Sequence, residues 1–170
     1  LYSFVMSLVQ SPLNTIEKRY YNKNIKDLEF EKPPVFIIGH WRTGSTYLHN
    51  LLSLDDNFAF PSTLQTIIPA SFVKFGKLMT PIIVGSLPDT RPQDDVALGA
   101  DLPNEEEYAM GNLSRFSFYH GWCFPKNMEQ YNDYVDFKNV SREEIEEFIE
   151  IYLEFIKKVA FVNDNKQLLI

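Results

Sequence analysis

The chain has 170 residues, of which 45% are apolar, so it is long and apolar enough to bury the core of one domain. This composition excludes disordered and fibrous proteins. Lysine and arginine number 16 against 23 aspartate and glutamate residues, and the net charge of −7 disfavours binding to nucleic acid or to an anionic membrane. A small anionic ligand remains compatible with this charge, because a few hydrogen-bond donors that point at the ligand outweigh the repulsion by a net charge that salt screens. We expect one domain over residues 1–170.

A single cysteine, Cys123, excludes an internal disulfide framework and zinc sites built from cysteine. Because paired cysteines are typical of oxidising compartments, their absence favours the cytoplasm. No segment has the apolar length that spans a bilayer. The chain begins at Leu1 and ends in the apolar run 168–170, so we interpret it as the N-terminal portion of a longer protein.

The first elements in chain order are two predicted helices and a strand. Residues 1–9 and 14–22 predict two short helices, with Pro12 as the break between them. The continuous run Val35–Ile38 is β-branched and aromatic, which is typical of a strand buried on both faces in a parallel sheet. Gly39 ends this strand.

The middle of the chain predicts shorter elements. From Gly44 the spacing of the leucines predicts a helix. Residues 58–60 predict a second short strand, and Pro69 divides residues 64–79 into two short helices. Residues 80–103 have no clear period and predict a long loop, which is usually functional or mobile.

The last third of the chain combines helices, aromatic residues and a final strand. Residues 104–110 predict one or two helical turns with Asn104 as N-cap, and residues 114–125 are unusually aromatic. Ser141 and Glu144 form a capping-box sequence that opens a helix. The predicted buried face of this helix consists of Ile145, Phe148, Ile149, Tyr152, Ile156 and Val159. Lys157 and Lys158 lie near its C-terminus, where the negative end of the helix dipole favours basic residues. Residues 166–170 predict a strand, and the alternation of strands and helices indicates an α/β fold with a parallel sheet flanked by helices.

The segment that follows the first predicted strand carries the clearest chemical signal. A buried strand ends at Gly39, a loop follows, and Gly44 opens a helix whose first residues are Ser45 and Thr46. Backbone N–H groups in such a loop and the positive end of the helix dipole form a cradle for a phosphate group. The two glycines have the spacing of the nucleotide-triphosphatase loop.

The cation in this loop is in an unusual place. Ser45 stands where a triphosphatase has the lysine that contacts the β- and γ-phosphates, and the one cation of the loop is Arg42. We therefore expect the loop to bind an anion without triphosphate chemistry.

The strand, the run 41–46 and the leucine-rich helix resemble the 5′-phosphosulfate-binding loop of the sulfotransferase family, although Trp41 stands at the family's proline position. The resemblance implies a P-loop-like fold that is incomplete in this chain, and a donor, 3′-phosphoadenylyl sulfate (PAPS), that leaves as adenosine 3′,5′-bisphosphate. It also implies that the 3′-phosphate site follows residue 170. A sulfuryl group carries less charge than a phosphoryl group, so we expect no metal. The implied donor-binding residues are His40, Trp41, Arg42, Thr43, Gly44, Ser45, Thr46 and Tyr47.

Sulfuryl transfer also needs a base for the proton of the acceptor hydroxyl, which family members supply as histidine or glutamate. Residues 60–65, where some members have a glutamate, contain no carboxylate. We therefore favour Glu105, then Glu107, because neighbouring carboxylates raise one another's pKa; a solvated first helical turn is the alternative interpretation of both. His120 is a weaker candidate. We expect His49 to be structural, and contact with the ligand is the alternative interpretation.

The resemblance therefore implies a sulfotransferase that moves a sulfuryl group from PAPS to a carbohydrate, sterol or other alcohol, with Arg42, Glu105 and Glu107 as the catalytic candidates. The aromatic run 114–125 is most often core and alternatively a wall of the acceptor pocket. Two other functions stay open: a nucleotide phosphotransferase with a divergent loop, and a non-catalytic domain that binds a phosphate ligand.

Overall fold

The computed structural model describes residues 2–40, 42–91 and 96–170, with backbone alone for residues 2–9 and 22. Trp41 and residues 92–95 lie outside this description. The helices are α1 (Tyr2–Lys26), α2 (Ser45–Leu52), α3 (Thr63–Ile67), α4 (Phe72–Val84), α5 (Glu106–Leu113), α6 (Tyr119–Cys123), a 3-10 turn (Pro125–Asn127), α7 (Met128–Asp136) and α8 (Arg142–Val162). The strands are β1 (Phe58–Ala59) and β2 (Gln167–Leu168).

Three extended segments run parallel, as the sequence predicts. β1 pairs with β2, and Leu169 N–H donates to the carbonyl of Ala59 at 2.7 Å. On the other side, Ile37 N–H donates to the Ile170 carbonyl at 2.6 Å, and Val35 forms a parallel bridge with Leu169. The last residues of the chain therefore lie between residues 35–37 and β1, and the carboxyl ends of all three segments share one edge. Ligands of α/β proteins bind at that edge.

The prediction that residues 35–38 are buried on both faces is wrong. Phe36 is 53% exposed and Ile38 is 93% exposed. The hydrogen bonds described for residues 35–37 run to residues 168–170 on one side, so the backbone groups of Phe36 and Ile38 face away from that neighbour.

Helix α1 also differs from its prediction. It runs from Tyr2 to Lys26 without a break, and Pro12 lies inside it. Proline removes one backbone donor and costs about 3 kcal/mol in a helix interior. After Pro12 the helix packs against α4 and α8 and buries Glu17 and Ile25, which offsets that cost.

The prediction of two helices divided by Pro69 is confirmed by α3 and α4. The predicted loop begins later than residue 80, however, because α4 continues through Pro81 to Val84. The N-cap of α5 is Glu105 rather than Asn104. Asn104 is held elsewhere, since its side-chain amide donates to Thr66 Oγ1 at 2.8 Å.

Helix α8 begins with the predicted capping box, in which Ser141 Oγ accepts from Glu144 N–H. Its buried face is only partly the predicted one: Ile156 and Val159 are buried, whereas Ile149 is 48% exposed. Lys158, predicted as a partner of the helix dipole, is buried and forms an ion pair with Glu17 at 3.0 Å.

The core lies between β1, α3, α4 and the second half of α8, with Ile68, Phe155 and Val159 at its centre. Among the residues that the structure describes, no helix combines the length and the apolar character that crossing a bilayer requires.

Candidate active site

The loop between residues 35–37 and α2 is a compact turn. Thr43 Oγ1 donates to the His40 carbonyl at 2.5 Å and so closes the loop on itself. Arg42 and Gly44 have left-handed backbone, with φ of 65° and 92°. Backbone of this kind turns successive N–H groups toward one side, which forms an anion-binding concavity. Helix α2 begins at Ser45, directly after Gly44.

The loop and the acidic cluster meet in one cavity of about 550 Å³. The loop side of its wall includes Gly39, Ser45 and Thr46, and the opposite side includes residues 104–107. They meet because residues 100–104 run along the start of α3, where Leu64 N–H donates to the Ala100 carbonyl at 2.9 Å. The rest of the wall is Ile37, Ile38, His49, Asn50, Thr63, Arg91, Val96, Ala97, Leu98, Leu102, Pro103, Phe118, Tyr119, Val135 and Ile170.

The donor-binding residues implied by the sequence divide into two groups. Ser45 and Thr46 line the cavity, whereas the other described members lie on the exposed rim of the turn or on the first turn of α2. These rim residues are His40, Arg42, Thr43, Gly44 and Tyr47. Trp41 lies outside the described residues.

Glu105 and Glu107 both line the cavity, but their surroundings differ. Glu105 is exposed, and its Oε2 accepts a hydrogen bond from the Tyr119 hydroxyl at 2.9 Å. Glu107 is partly buried, and its Oε1 accepts from Ser117 Oγ at 2.6 Å. Burial raises the pKa of Glu107 to about 7; the charges of Glu106 and Glu105 add to this rise, and the Ser117 hydrogen bond opposes it.

Glu106 is the third carboxylate of the wall and was not among the two favoured as the base. Burial raises its pKa, and its Oε1 accepts from the Tyr152 hydroxyl at 3.4 Å. The segment 105–107 therefore combines an exposed carboxylate with two that hold protons more tightly than usual.

His49, expected to be structural, lies in the cavity wall and is only 8% exposed. Its ring stands edge-on to Phe60, with 6.1 Å between ring centroids. Burial lowers its pKa, while the charge of Glu105 and a backbone hydrogen bond with Leu169 oppose that change. Its position on α2, one turn after Ser45, is the sequence signal that places it near the loop.

His120 is not in this wall. Its Nε2 lies 2.9 Å from the Ser114 carbonyl oxygen, and its ring packs against Tyr131. The structure therefore separates this weaker base candidate from the loop.

The aromatic run has members of three kinds. Phe116 is core, Phe118 and Tyr119 line the cavity, and Trp122 and Phe124 are exposed. Tyr119 stacks on Phe118 with 4.6 Å between ring centroids, which fixes the wall beside Glu105. The interpretation as core is thus confirmed for Phe116, and the interpretation as a wall of the acceptor pocket stays a prediction for Phe118 and Tyr119.

Comparisons with known proteins bear on this geometry. Residues 33–112 match the model of the sulfotransferase family. Over 161 residues the chain is 30% identical to an omega-hydroxy-beta-dihydromenaquinone-9 sulfotransferase of Mycobacterium bovis, a match that covers 95% of the chain and 41% of the relative. A protein of the same name from Mycobacterium tuberculosis matches with the same identity and coverage. The chain thus spans about two fifths of the length of these relatives. No solved structure matches it.

Proposed function

Because the chain belongs to the sulfotransferase family, we propose that it forms the donor-binding part of an enzyme that moves a sulfuryl group from PAPS to the hydroxyl of a small alcohol. One observation carries the proposal: a single cavity has the N-terminus of α2 on one side and the acidic cluster 105–107 on the other. Transfer from an anionic donor to an alcohol needs donors for the anion and a base for the proton.

The loop residues bind the donor in this proposal. Ser45 and Thr46 place hydroxyl groups at the N-terminus of α2, where the helix dipole and unpaired backbone N–H groups favour a 5′-phosphate. The left-handed backbone at Arg42 and Gly44 adds further N–H groups to the same turn. His40, Thr43 and Tyr47 complete the set, as does Trp41 by its place in the sequence.

Arg42 stabilises the charge that grows on the phosphate oxygen as the bond to sulfur breaks. A guanidinium donates several hydrogen bonds in a fixed plane, and such an aimed charge acts mainly in the transition state. PAPS supplies the activated sulfuryl group.

Glu105 takes the proton of the acceptor hydroxyl. Its carboxylate lines the cavity, and the Tyr119 hydroxyl holds one of its oxygens. Glu107 is the alternative base, since a pKa of about 7 suits proton exchange near neutral pH. Glu107 is partly buried, however, whereas Glu105 is exposed, and this favours Glu105 as the carboxylate that an acceptor reaches.

The acceptor is an alcohol with an apolar body. The name of the mycobacterial relatives describes a hydroxyl group on a dihydromenaquinone. In this chain the cavity wall includes Leu98, Leu102 and Phe118 among its polar groups, and these side chains give an apolar body a surface on which to pack.

Ligand binding to the full chain tests the donor assignment. Adenosine 3′,5′-bisphosphate and PAPS are expected to raise the melting temperature, since a ligand at 100 times its Kd stabilises the folded state by about 2.7 kcal/mol. Stabilisation by ATP with Mg²⁺ instead would support a nucleotide phosphotransferase. Stabilisation by the bisphosphate with no sulfation of any alcohol tested would support a non-catalytic binding domain.

Transfer of radiolabelled sulfate from PAPS to hexanol or cholesterol tests the catalytic roles. Arg42→Ala is expected to lower kcat about 100-fold, the scale of losing one transition-state donor, with little change in the melting temperature. Arg142→Ala is the matched control, because Arg142 is an exposed arginine paired with Glu146 on α8. Activity of Arg42→Ala within tenfold of the parent would remove Arg42 from the mechanism.

A further inference from the structure

The cavity is bordered on one side by exposed apolar side chains, two of which have no part in the function proposed above. Trp122 of α6 is not part of the cavity wall and is 54% exposed. Val135 of α7 belongs to the wall and is 63% exposed, so it lies at the mouth of the cavity. Together with Phe118, which lines the cavity, these two residues form a surface that we call the apolar rim.

The aromatic residues of the apolar rim are held in place by their neighbours. The indole of Trp122 stands edge-on to Tyr119 and to Phe118, with 4.9 Å and 6.0 Å between ring centroids. Tyr119 is itself stacked between Phe118 and Tyr108, at centroid distances of 4.6 Å and 4.8 Å. Because rings packed in this way support one another, Trp122 continues the wall of the cavity outward as a fixed apolar surface.

The apolar rim lies on the side of the cavity where the acceptor has to react. Tyr119, the ring that Trp122 contacts, donates its hydroxyl to Glu105 at 2.9 Å. Another exposed apolar residue of the cavity wall is Ile38, but it directly precedes the donor loop at Gly39. An acceptor whose hydroxyl reaches Glu105 therefore has the apolar rim, and not Ile38, beside its body.

The size of the cavity leaves little room for the body of the acceptor. Cavities of about 300 to 1,000 Å³ hold one drug-sized ligand, and this cavity has about 550 Å³. In the proposed function the donor nucleotide occupies this space. The hydroxyl end of the acceptor then enters the cavity, and an apolar body longer than a few carbon atoms lies outside it, where contact with exposed apolar side chains is more favourable than contact with water.

We propose that the apolar rim binds the body of a long-chain alcohol and so makes this chain selective for long acceptors over short ones. The inference rests on the proposed function, which supplies the nucleotide in the cavity and the base at Glu105. Trp122 and Val135 determine specificity in this proposal, and Trp122 does so without contact to the reacting atoms. Each methylene group that the rim buries raises the affinity about twofold to fourfold.

Fluorescence of the full chain tests binding independently of transfer. The chain has two tryptophans, and Trp122→Phe keeps a ring against Tyr119 and leaves Trp41 as the one emitter. In the presence of adenosine 3′,5′-bisphosphate, dodecanol is expected to shift the emission of the parent chain to shorter wavelength, because it removes an exposed indole from water. Butanol at the same concentration should give no shift, and Trp122→Phe should give none with either alcohol.

Sulfate transfer from PAPS to the same two alcohols measures the selectivity. The parent is expected to prefer dodecanol to butanol at least about tenfold in kcat/KM. Trp122→Ala and Val135→Ser should each lower kcat/KM for dodecanol about fivefold to tenfold through KM, and change the value for butanol by less than about twofold. Leu78→Ala is the control, because Leu78 is an exposed leucine of α4 outside the cavity wall, and it should affect neither alcohol.

The outcomes separate the apolar rim from the proposed function. Equal kcat/KM for the two alcohols in the parent, or an equal loss for both in Trp122→Ala, would overturn the rim and leave sulfate transfer intact. If no sulfate is transferred but dodecanol shifts the emission as expected, the proposed function fails and the rim stands as a binding site for long-chain alcohols. An emission that dodecanol leaves unchanged, or a shift that persists in Trp122→Phe, contradicts the rim. Sedimentation then shows whether a second copy of the chain covers it, as a dimer that Trp122→Ala dissociates.

Discussion

At the residue scale, the hydroxyl groups of Ser117 and Tyr119 each form a hydrogen bond with one of the two candidate bases. Ser117 Oγ donates to Glu107, and Tyr119 Oη donates to Glu105. Ser117 is nearly fully buried, and its Oγ also accepts from Tyr119 N–H at 3.3 Å, so this short segment holds both carboxylates. A hydrogen bond to a carboxylate stabilises its charged form and lowers its pKa.

Ser117→Ala is therefore expected to raise the pKa of Glu107 above about 7. Carbon NMR of glutamate-labelled protein measures that pKa, with the Glu107→Gln variant assigning the resonance. Ser117→Thr keeps the hydroxyl and should restore the parent value. Ser86→Ala is the control, because Ser86 Oγ binds the Ile83 carbonyl away from the cavity. An unchanged pKa in Ser117→Ala would mean that Ser117 does not interact with the charged carboxylate.

At the element scale, the start of α2 depends on Gly44. Its φ of 92° lies in the left-handed region, and a Cβ there would meet no atom within 4 Å. Gly44→Ala is therefore expected to lower the free energy of unfolding by about 1 kcal/mol through backbone strain alone. Urea denaturation measures this loss. Gly85→Ala, at φ of −66°, is the control without left-handed strain, and an equal loss in both would contradict the argument.

A buried ion pair ties α1 to α8 and to the turn before α4. Lys158 Nζ lies 3.0 Å from Glu17 Oε1 and donates to the carbonyl of Ala70 at 3.2 Å, while Glu17 Oε2 accepts from Lys74 N–H. Both charged side chains are almost fully buried. Removal of one member leaves an unpaired buried charge, which costs more than loss of the pair as a whole.

Lys158→Met is thus expected to lower the free energy of unfolding by about 3 to 5 kcal/mol. The double variant Glu17→Gln with Lys158→Met should recover part of this loss, because the buried charge of Glu17 is then also absent and Glu154, 3.9 Å from Lys158 Nζ, is partly exposed to water. Lys157→Met is the control, since Lys157 makes an exposed hydrogen bond to the Lys26 carbonyl. A double variant less stable than Lys158→Met would show that the pair stabilises the fold in itself.

The elements that the sequence predicts correctly are those that depend on residues close together in the chain. The capping box at Ser141, the strand–glycine–helix order around Gly44 and the break at Pro69 are local, so spacing alone predicts them. Lys157 and Lys158 look equivalent in sequence, and only the position of α1 decides which one is buried. A contact distant in sequence also explains why Asn104 does not cap α5: its side chain donates to Thr66 instead.

In the candidate site too, the sequence predicts the short local motifs and does not predict which of them come together. The loop and the acidic cluster were predicted because each is a short run of chemically distinctive residues. Their meeting in one cavity depends on the path of residues 100–104 along α3, which no local pattern encodes. The position of a histidine on a helix does not show which way its ring points, so the sequence predicts a structural role for His49.

At the scale of the whole molecule, the raised pKa of Glu107 links stability to pH. A carboxyl group whose pKa is higher in the folded state stabilises the fold fully below its unfolded pKa of about 4.5, and that contribution is lost as pH rises through about 7. The loss amounts to at most about 3 kcal/mol. Glu106 acts in the same direction, whereas His49, with a lowered pKa, destabilises the fold as pH falls below its ordinary value of 6.5.

Comparison with Glu107→Gln isolates the first of these effects. The free energy of unfolding of the parent minus that of the variant is expected to fall between pH 4.5 and pH 7.5. Urea denaturation across this range measures it, and Glu150→Gln on the exposed face of α8 is the control with no such trend. If the difference in the free energy of unfolding does not change with pH, the carboxyl group of Glu107 is in contact with water in the folded chain and its pKa is not raised.

The middle position of residues 168–170 in the sheet has a kinetic consequence. These residues join Val35 and Ala59 only after more than a hundred intervening residues have left the ribosome. Closing so wide a separation is slow, so we expect the turn between residues 35–37 and α2 to acquire its fixed backbone late in folding. Until residues 168–170 arrive, the backbone groups of Val35 and Ile37 have no strand partner, and a chaperone has most to protect in this interval.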